Sequence, residues 1–363
     1  MLFGMSRTRP FIPLLIAFAL LPLPLCVQAQ TVAAQDAVRA VNEISLLVVV
    51  KGRAGEAVEG LSASDFAVEA DGRKQLVSSV VREADSPLLV GLVANTGTEQ
   101  RKALADERKA AMEFVKSLRE GRDRAFVMRF SREVELLQDV TTSHERLLKG
   151  VDAISVGEQH SVGSGGERRR GETSPGGGIL LGGNTLYDAI FLASDEVMKT
   201  RTGRKVLLIF SDGVDRESRT SLSAAMESAQ RGNVVVYTVY VPLEDSPNHN
   251  GLFPAGLGSD SVESGSAISK QDRAEGKKVL QQIARETGGR YFELSKKEIN
   301  KKESTKKSPL ADIYKELAVE LHHQYTLRFV PSTSEGGYHR VKVTMRNTGL
   351  TVQARDGYYT IER

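Results

Sequence analysis

From residue 87 onward, short unbroken apolar runs alternate with segments whose apolar residues recur at helical spacing. Residues 88–93 (LLVGLV), 206–210 (VLLIF) and 234–241 (VVVYTVYV) are continuous runs, the pattern of strands covered on both faces of a parallel sheet. Residues 125–130 predict a further strand, 134–140 an edge partner and 290–294 a short one. Between them Leu104, Ala111, Phe114, Val115 and Leu118 share one helical face, with Gly121 as a stop signal. Leu186, Ala189, Ile190, Ala193 and Val197 give a second helix, ended near Gly203, and residues 222–230 a third. Val279, Leu280, Ile283 and Ala284 mark another, and Ile313, Tyr314, Leu317 and Leu321 the last. This alternation predicts an α/β fold: a doubly wound, mostly parallel sheet with helices on both faces.

The pattern differs at both flanks. Residues 38–84 read as a small β module, with a β-branched run at 44–50 and the hairpin signature Asp71-Gly72. After His323, residues 324–330, 340–346 and 350–354 read as strands of a C-terminal β segment spanning 324–363. The two flanking segments are expected to pair as a small β-sandwich, with the α/β domain of residues 86–323 inserted between them. Two Gly- and Ser-rich insertions, 155–183 and 242–270, interrupt that domain and are longer than ordinary connections.

The first 29 residues have the layout of a signal peptide: Arg7 and Arg9, then an apolar stretch, then the small-residue site Val27-Gln28-Ala29. Export to the periplasm, cell envelope or exterior follows as the expectation. Bulky Leu25 argues against lipid attachment at Cys26. Without the leader, 47 basic residues face 46 acidic ones, a net charge of +1, which removes the electrostatic argument for a nucleic-acid partner. The single Cys leaves with the leader, so no disulfide is expected. No other stretch approaches transmembrane length.

Candidate chemistry gathers where apolar runs end: Ala94, Asn95, Thr96, Thr98 and Glu99 after the first, Ser211, Asp212 and Asp215 after another, and Thr185 opening a helix. In an open parallel sheet such positions meet in the crevice beyond the carboxyl ends of the strands. Each also has a local reading. Thr98 before Glu99 suits a helix N-cap, Thr185 with Asp188 a capping box, and Asp212-Gly213 a strand-exit turn.

Together the segments VGLVANTGTEQ, GGNTLYDAI and VLLIFSDGVDRES resemble the von Willebrand factor type A (VWA) domain and its metal-ion-dependent adhesion site. That motif reads Asp-x-Ser-x-Ser, a distant Thr and a distant Asp; the matching positions are Ala94, Thr96, Thr98, Thr185 and Asp212, so the leading carboxylate is missing. The resemblance implies a protein-interaction rim whose Mg²⁺ or Mn²⁺ would be held through Thr96, Thr98, Thr185 and Asp212. Without the acid at position 94 the ion is weakly bound or absent, because neutral hydroxyls do not replace a Coulombic term. Asn95, Glu99 and Asp215 complete the expected partner-binding rim, facing a protein that presents a carboxylate.

Gly60-Leu61, Asp65-Phe66, Asp71-Gly72, the stretch GGRYF at 288–292 and the tail containing LAVELHHQY and ARDGYY resemble the exported VWA-related family first noted in Acidobacteria. This second resemblance implies an architecture and no specific activity.

No catalytic constellation is visible. HExxH and G-x-S-x-G are missing, and the sequence predicts a non-enzymatic protein, with a hydrolase using Ser211 or Asp212 as the remote alternative and a metal-free scaffold as the nearer one. Arg168-Arg169-Arg170 reads as a solvated charge run, and the glycines at 163, 165 and 166 lack the context of a phosphate loop. His322 and His323 read as partners for the last carbonyls of a helix.

Overall fold

The computed structural model describes residues 43–97, 100–101, 103–155, 184–242, 270–295, 309–333 and 335–360. The leader, Thr98, Glu99, the arginine run at 168–170 and nearly all of both insertions lie outside the described residues.

The apolar runs become the middle of a six-stranded sheet. Strands β5 (Leu88–Asn95), β8 (Arg204–Ser211) and β9 (Val234–Tyr240) are buried along their whole length. Side chains alternate across a strand, so each run divides between two cores. Leu88, Val90, Leu92 and Ala94 enter one with Val206, Leu208 and Phe210, while Leu89, Val93, Leu207 and Ile209 enter the other. Helices α1 (Ala103–Ser117), α2 (His144–Asp152) and α6 (Pro309–His322) cover the first face. Helices α3 (Leu186–Leu192), α4 (Leu222–Arg231) and α5 (Lys270–Thr287) cover the second. Helix α3 runs on into a π-helical turn, Ala193–Met198.

With β6 (Arg124–Phe130), β7 (Val134–Thr141) and β10 (Tyr291–Glu293), the strand order is β10-β9-β8-β5-β6-β7. All neighbours are parallel except the β6–β7 edge pair. Counted along the chain from β5, this is the 3-2-1-4-5-6 order of a doubly wound sheet, and its topological switch point lies between β5 and β8.

The flanking strands interleave. One sheet has the order β13-β1-β11-β4, from β1 (Ile44–Lys51), β4 (Val77–Arg82), β11 (Gln324–Phe329) and β13 (Thr351–Gln353). The other has the order β14-β12-β2-β3, from β2 (Phe66–Ala70), β3 (Arg73–Gln75), β12 (Gly337–Met345) and β14 (Gly357–Thr360). Each sheet therefore mixes strands from both flanks, with Ile44 opposite Phe329 and Phe66 opposite Met345. They share a core of Leu46, Val48, Val50, Phe66, Val68, Tyr325, Leu327, Phe329 and Tyr358. The Asp71-Gly72 turn joins β2 to β3 with both residues at positive φ, 48° and 76°, as a tight twisted hairpin requires. Strand β14 was not foreseen: GYYT is short, and half its pattern is aromatic residues facing two different neighbours.

Candidate functional site

The rim at the switch point is built from the exits of β5 and β8 and the lead-in to α3. β5 and β8 are in register to Ala94 opposite Phe210, so Asn95 and Asp212 emerge side by side. Asp212 is 3 % exposed and its Oδ1 accepts from Asn95 Nδ2 (3.3 Å), Asn184 Nδ2 (3.2 Å), Ser211 Oγ (3.3 Å) and Val214 N (3.4 Å). Asn95 is locked in that orientation because its own Oδ1 accepts from Gly97 N at 2.9 Å. Two side-chain amides thus stand around the carboxylate and supply partial positive charge where a cation would otherwise be needed.

The threonines do a different job. Thr96 donates from both N (2.8 Å) and Oγ1 (3.2 Å) to the Phe130 carbonyl, tying the exit of β5 to that of β6. Thr185 donates from N (2.9 Å) and Oγ1 (3.1 Å) to the Ser131 carbonyl, one residue further along the same exit. The capping box expected at Thr185 and Asp188 does not form. The orphan amides at the start of α3 are taken by a neighbouring loop instead: Tyr187 N donates to Asp215 Oδ1 (3.2 Å) and to Ser218 Oγ (3.1 Å), and Asp188 N to Ser218 Oγ (3.1 Å). Asp188 reciprocates, accepting from Arg219 N and Thr220 N at 3.0 and 2.8 Å. Burial raises the Asp188 carboxyl, but the Thr220 hydroxyl together with these backbone donors outweighs it and holds the group below the usual range. Asp215 is likewise committed, accepting from Ser218 Oγ at 2.6 Å.

The Asp212-Gly213 turn is the strand exit expected, with Gly213 at φ 77°. It lies so close to α5 that a Cβ on Gly213 would sit 2.1 Å from Gly276 O, and one on Gly276 2.3 Å from Asp212 O. Sequence reading missed Gly276 and Asn184. Asn184 sits beside Thr185 in the quoted segment, but only the fold shows that its amide reaches Asp212.

Among the described positions of the motif the fit to a hard divalent cation is poor. Ala94 is 2 % exposed and belongs to the apolar core, so the missing acid is replaced by packing. Among the described residues no group of three His, Cys, Asp or Glu is placed to hold a metal, and the Asp212 Oδ1 is already surrounded by donors. Ser211 is fully buried, donates to Asp212 and accepts from Gly213 N at 3.0 Å; no described His bonds to it. A nucleophile needs access to substrate as well as an adjacent base, and Ser211, though bonded to the Asp212 carboxylate, is fully buried. The segments that form this rim expose Arg101, Arg216 and Arg219, with Glu217 exposed among them. Arg216 is pinned through its N–H to Asn184 O at 2.9 Å.

No family model matches the sequence, and no curated protein does. Solved structures similar in fold include an aerotolerance-related membrane protein from Bacteroides fragilis, at 14% identity and TM-score 0.42, covering 64% of this chain and 98% of that one. A von Willebrand factor type A protein from Catenulispora acidiphila aligns at 11% identity and TM-score 0.42, over 81% of this chain and 73% of that one. Proximal thread matrix protein 1 from the mussel byssus, with a zinc-occupied metal-ion-dependent adhesion motif, aligns at 12% identity and TM-score 0.43, over 68% of this chain and 48% of that one.

Proposed function

We propose that this chain is an exported, non-enzymatic interaction protein that binds a protein partner at the rim around Asn95, Asp212 and Asn184, without a resident metal. The observation that carries the reading is the Asp212 carboxylate enclosed by two amides, with Ala94 buried where the resembling motif places an acid. A partner carboxylate would then meet Arg101, Arg216 and Arg219 rather than an ion, since guanidinium forks match carboxylates. The sequence already implies a degenerate site at Thr96, Thr98, Thr185 and Asp212, with Mg²⁺ or Mn²⁺ weakly held or absent; Thr98 and Glu99 lie outside the described residues.

Two measurements test this. Titration calorimetry of the purified protein with Mg²⁺ and Mn²⁺ should show no tight uptake; tight binding by the wild type sinks the metal-free reading. A pull-down from the native envelope fraction should retain the partner in EDTA and lose it with the double change R216E/R219E. Release by EDTA, or retention by the double variant, speaks against the arginine rim.

A further inference from the structure

At the opposite end of the parallel sheet, between its strand entries and the β13-β1-β11-β4 sheet, lies a cavity of about 350 Å³. Its ionisable lining residues are Arg204, Arg328, Arg355 and Glu83, a formal charge of +2. Arg204 and Arg355 are 5 % and 8 % exposed, and among the described residues neither is paired with a carboxylate. Asp123 nearby is taken by Arg119 at 2.9 Å, and Arg328 reaches only Glu43, at 3.9 Å.

The two buried guanidiniums are bonded alike. Arg204 Nη1 donates to Leu321 O and Gln324 Oε1, and Nη2 to Ser86 O. Arg355 Nη1 donates to Gln230 O and Asn233 Oδ1, and Nη2 to Ser45 O. In both, Nε is buried without an acceptor. A guanidinium has five N–H bonds, so each keeps its Nε–H and one Nη2–H without an acceptor, the Nε enclosed by the protein. Neutral carbonyls orient both side chains, and the charges of Glu83 and Asp123 offset part of that on Arg204. Burial pushes Arg355 down to about 10, which leaves it charged at neutral pH and in want of a counter-ion.

We propose that this cavity binds a compact oxyanion carrying two negative charges, held between the Arg204 and Arg355 side chains that line it. The site stands apart from the rim and does not depend on the rim reading. The test is calorimetry and thermal shift on the full chain with inorganic phosphate, sulfate and malonate, at constant ionic strength against chloride. The expected result is one-to-one uptake and a raised melting temperature with at least one of them. Preference for phosphate or sulfate assigns a tetrahedral ligand, and preference for malonate a dicarboxylate. R355Q should weaken binding by about ten-fold or more, the weight of a hydrogen bond to a charged group. E83Q removes the opposing charge and should tighten it. Failure of all three anions to bind overturns the proposal, as does wild-type affinity in both variants. Where R355Q does not fold, E83Q decides alone: no tightening rejects the site.

Discussion

Asp71, at the end of β2, and His339, on the neighbouring β12 of the same sheet, meet at 2.7 Å, from Asp71 Oδ2 to His339 Nδ1. The other imidazole nitrogen lies 3.0 Å from Glu335 O and 2.9 Å from Thr360 Oγ1. A carboxylate and a carbonyl only accept, so this arrangement favours the form with protons on both ring nitrogens. Burial lowers its pKa, but the bond to Asp71, the Glu335 carbonyl and the Asp71 charge outweigh that and raise it. The same bond, helped by the Arg340 amide and opposed by burial, lowers Asp71. The histidine contribution is fully present below the ordinary value of about 6.5 and fades as pH rises through the raised folded value. The aspartate contribution is present above about 3.9 and fades as pH falls through its lowered folded value. The clasp is therefore strongest in mild acid. H339Q should lose most stability relative to wild type near pH 5 to 6, and the difference should shrink above neutrality in urea melts. A pH-independent difference would mean that stacking on Tyr358, at 5.3 Å between ring centroids, is what matters.

Single residues also mark the limit of what could be read from the chain. Asp71-Gly72 was legible because a two-residue turn is local chemistry. His322 and His323 were too: their Nδ1 atoms bond Ala318 O and Val319 O, one helical turn back. Thr185 was misread because its helix is capped by Asp215 and Ser218, about 30 positions away in the chain. A motif search sees spacing but not which neighbour wins the amide.

Among elements, the buried strands were plain from their unbroken apolar runs, and the helices from their periodicity. Sheet order and the lodging of α5 against the rim were not, since both depend on contacts between distant segments. Gly276 shows how the second point can be tested. In an exposed helix interior, Gly to Ala stabilises by roughly 0.5–1 kcal/mol. Here the new methyl would press on the Asp212 carbonyl at 2.3 Å, and overpacking against backbone costs about 1–3 kcal/mol. The collision wins, so G276A should lower the melting temperature. A rise would show that α5 can retreat from the turn at no cost.

At the scale of the molecule, Glu320 ties the two layers together. Its carboxylate, 1 % exposed, accepts from Lys51 Nζ of β1 (2.8 Å), from Arg290 Nη1 (2.9 Å) and from Tyr237 OH of β9 (2.8 Å). One acid on α6 thus joins the sandwich to the parallel sheet. Breaking a buried pair by removing one partner costs up to about 3–5 kcal/mol. Lys51 and Arg290 are each about one-quarter exposed and keep Glu316 as a partner, so water and Glu316 recover part of that. E320A should destabilise by about 2 kcal/mol. Urea denaturation followed by tyrosine fluorescence and by circular dichroism would check this, and a change below about 0.5 kcal/mol, the scale of an ordinary surface substitution, would refute it.

The interleaving of the two flanks sets a timetable for synthesis. Strands β1 to β4 leave the ribosome early, yet β1 and β2 find their long partners only in β11 and β12, across more than 260 intervening residues. At about 5–20 residues per second that gap lasts some tens of seconds. Throughout it, half a sandwich waits with open hydrogen-bonding edges, a template for sticking to other nascent chains. Translation speed and holding factors should therefore govern yield more than the final stability does.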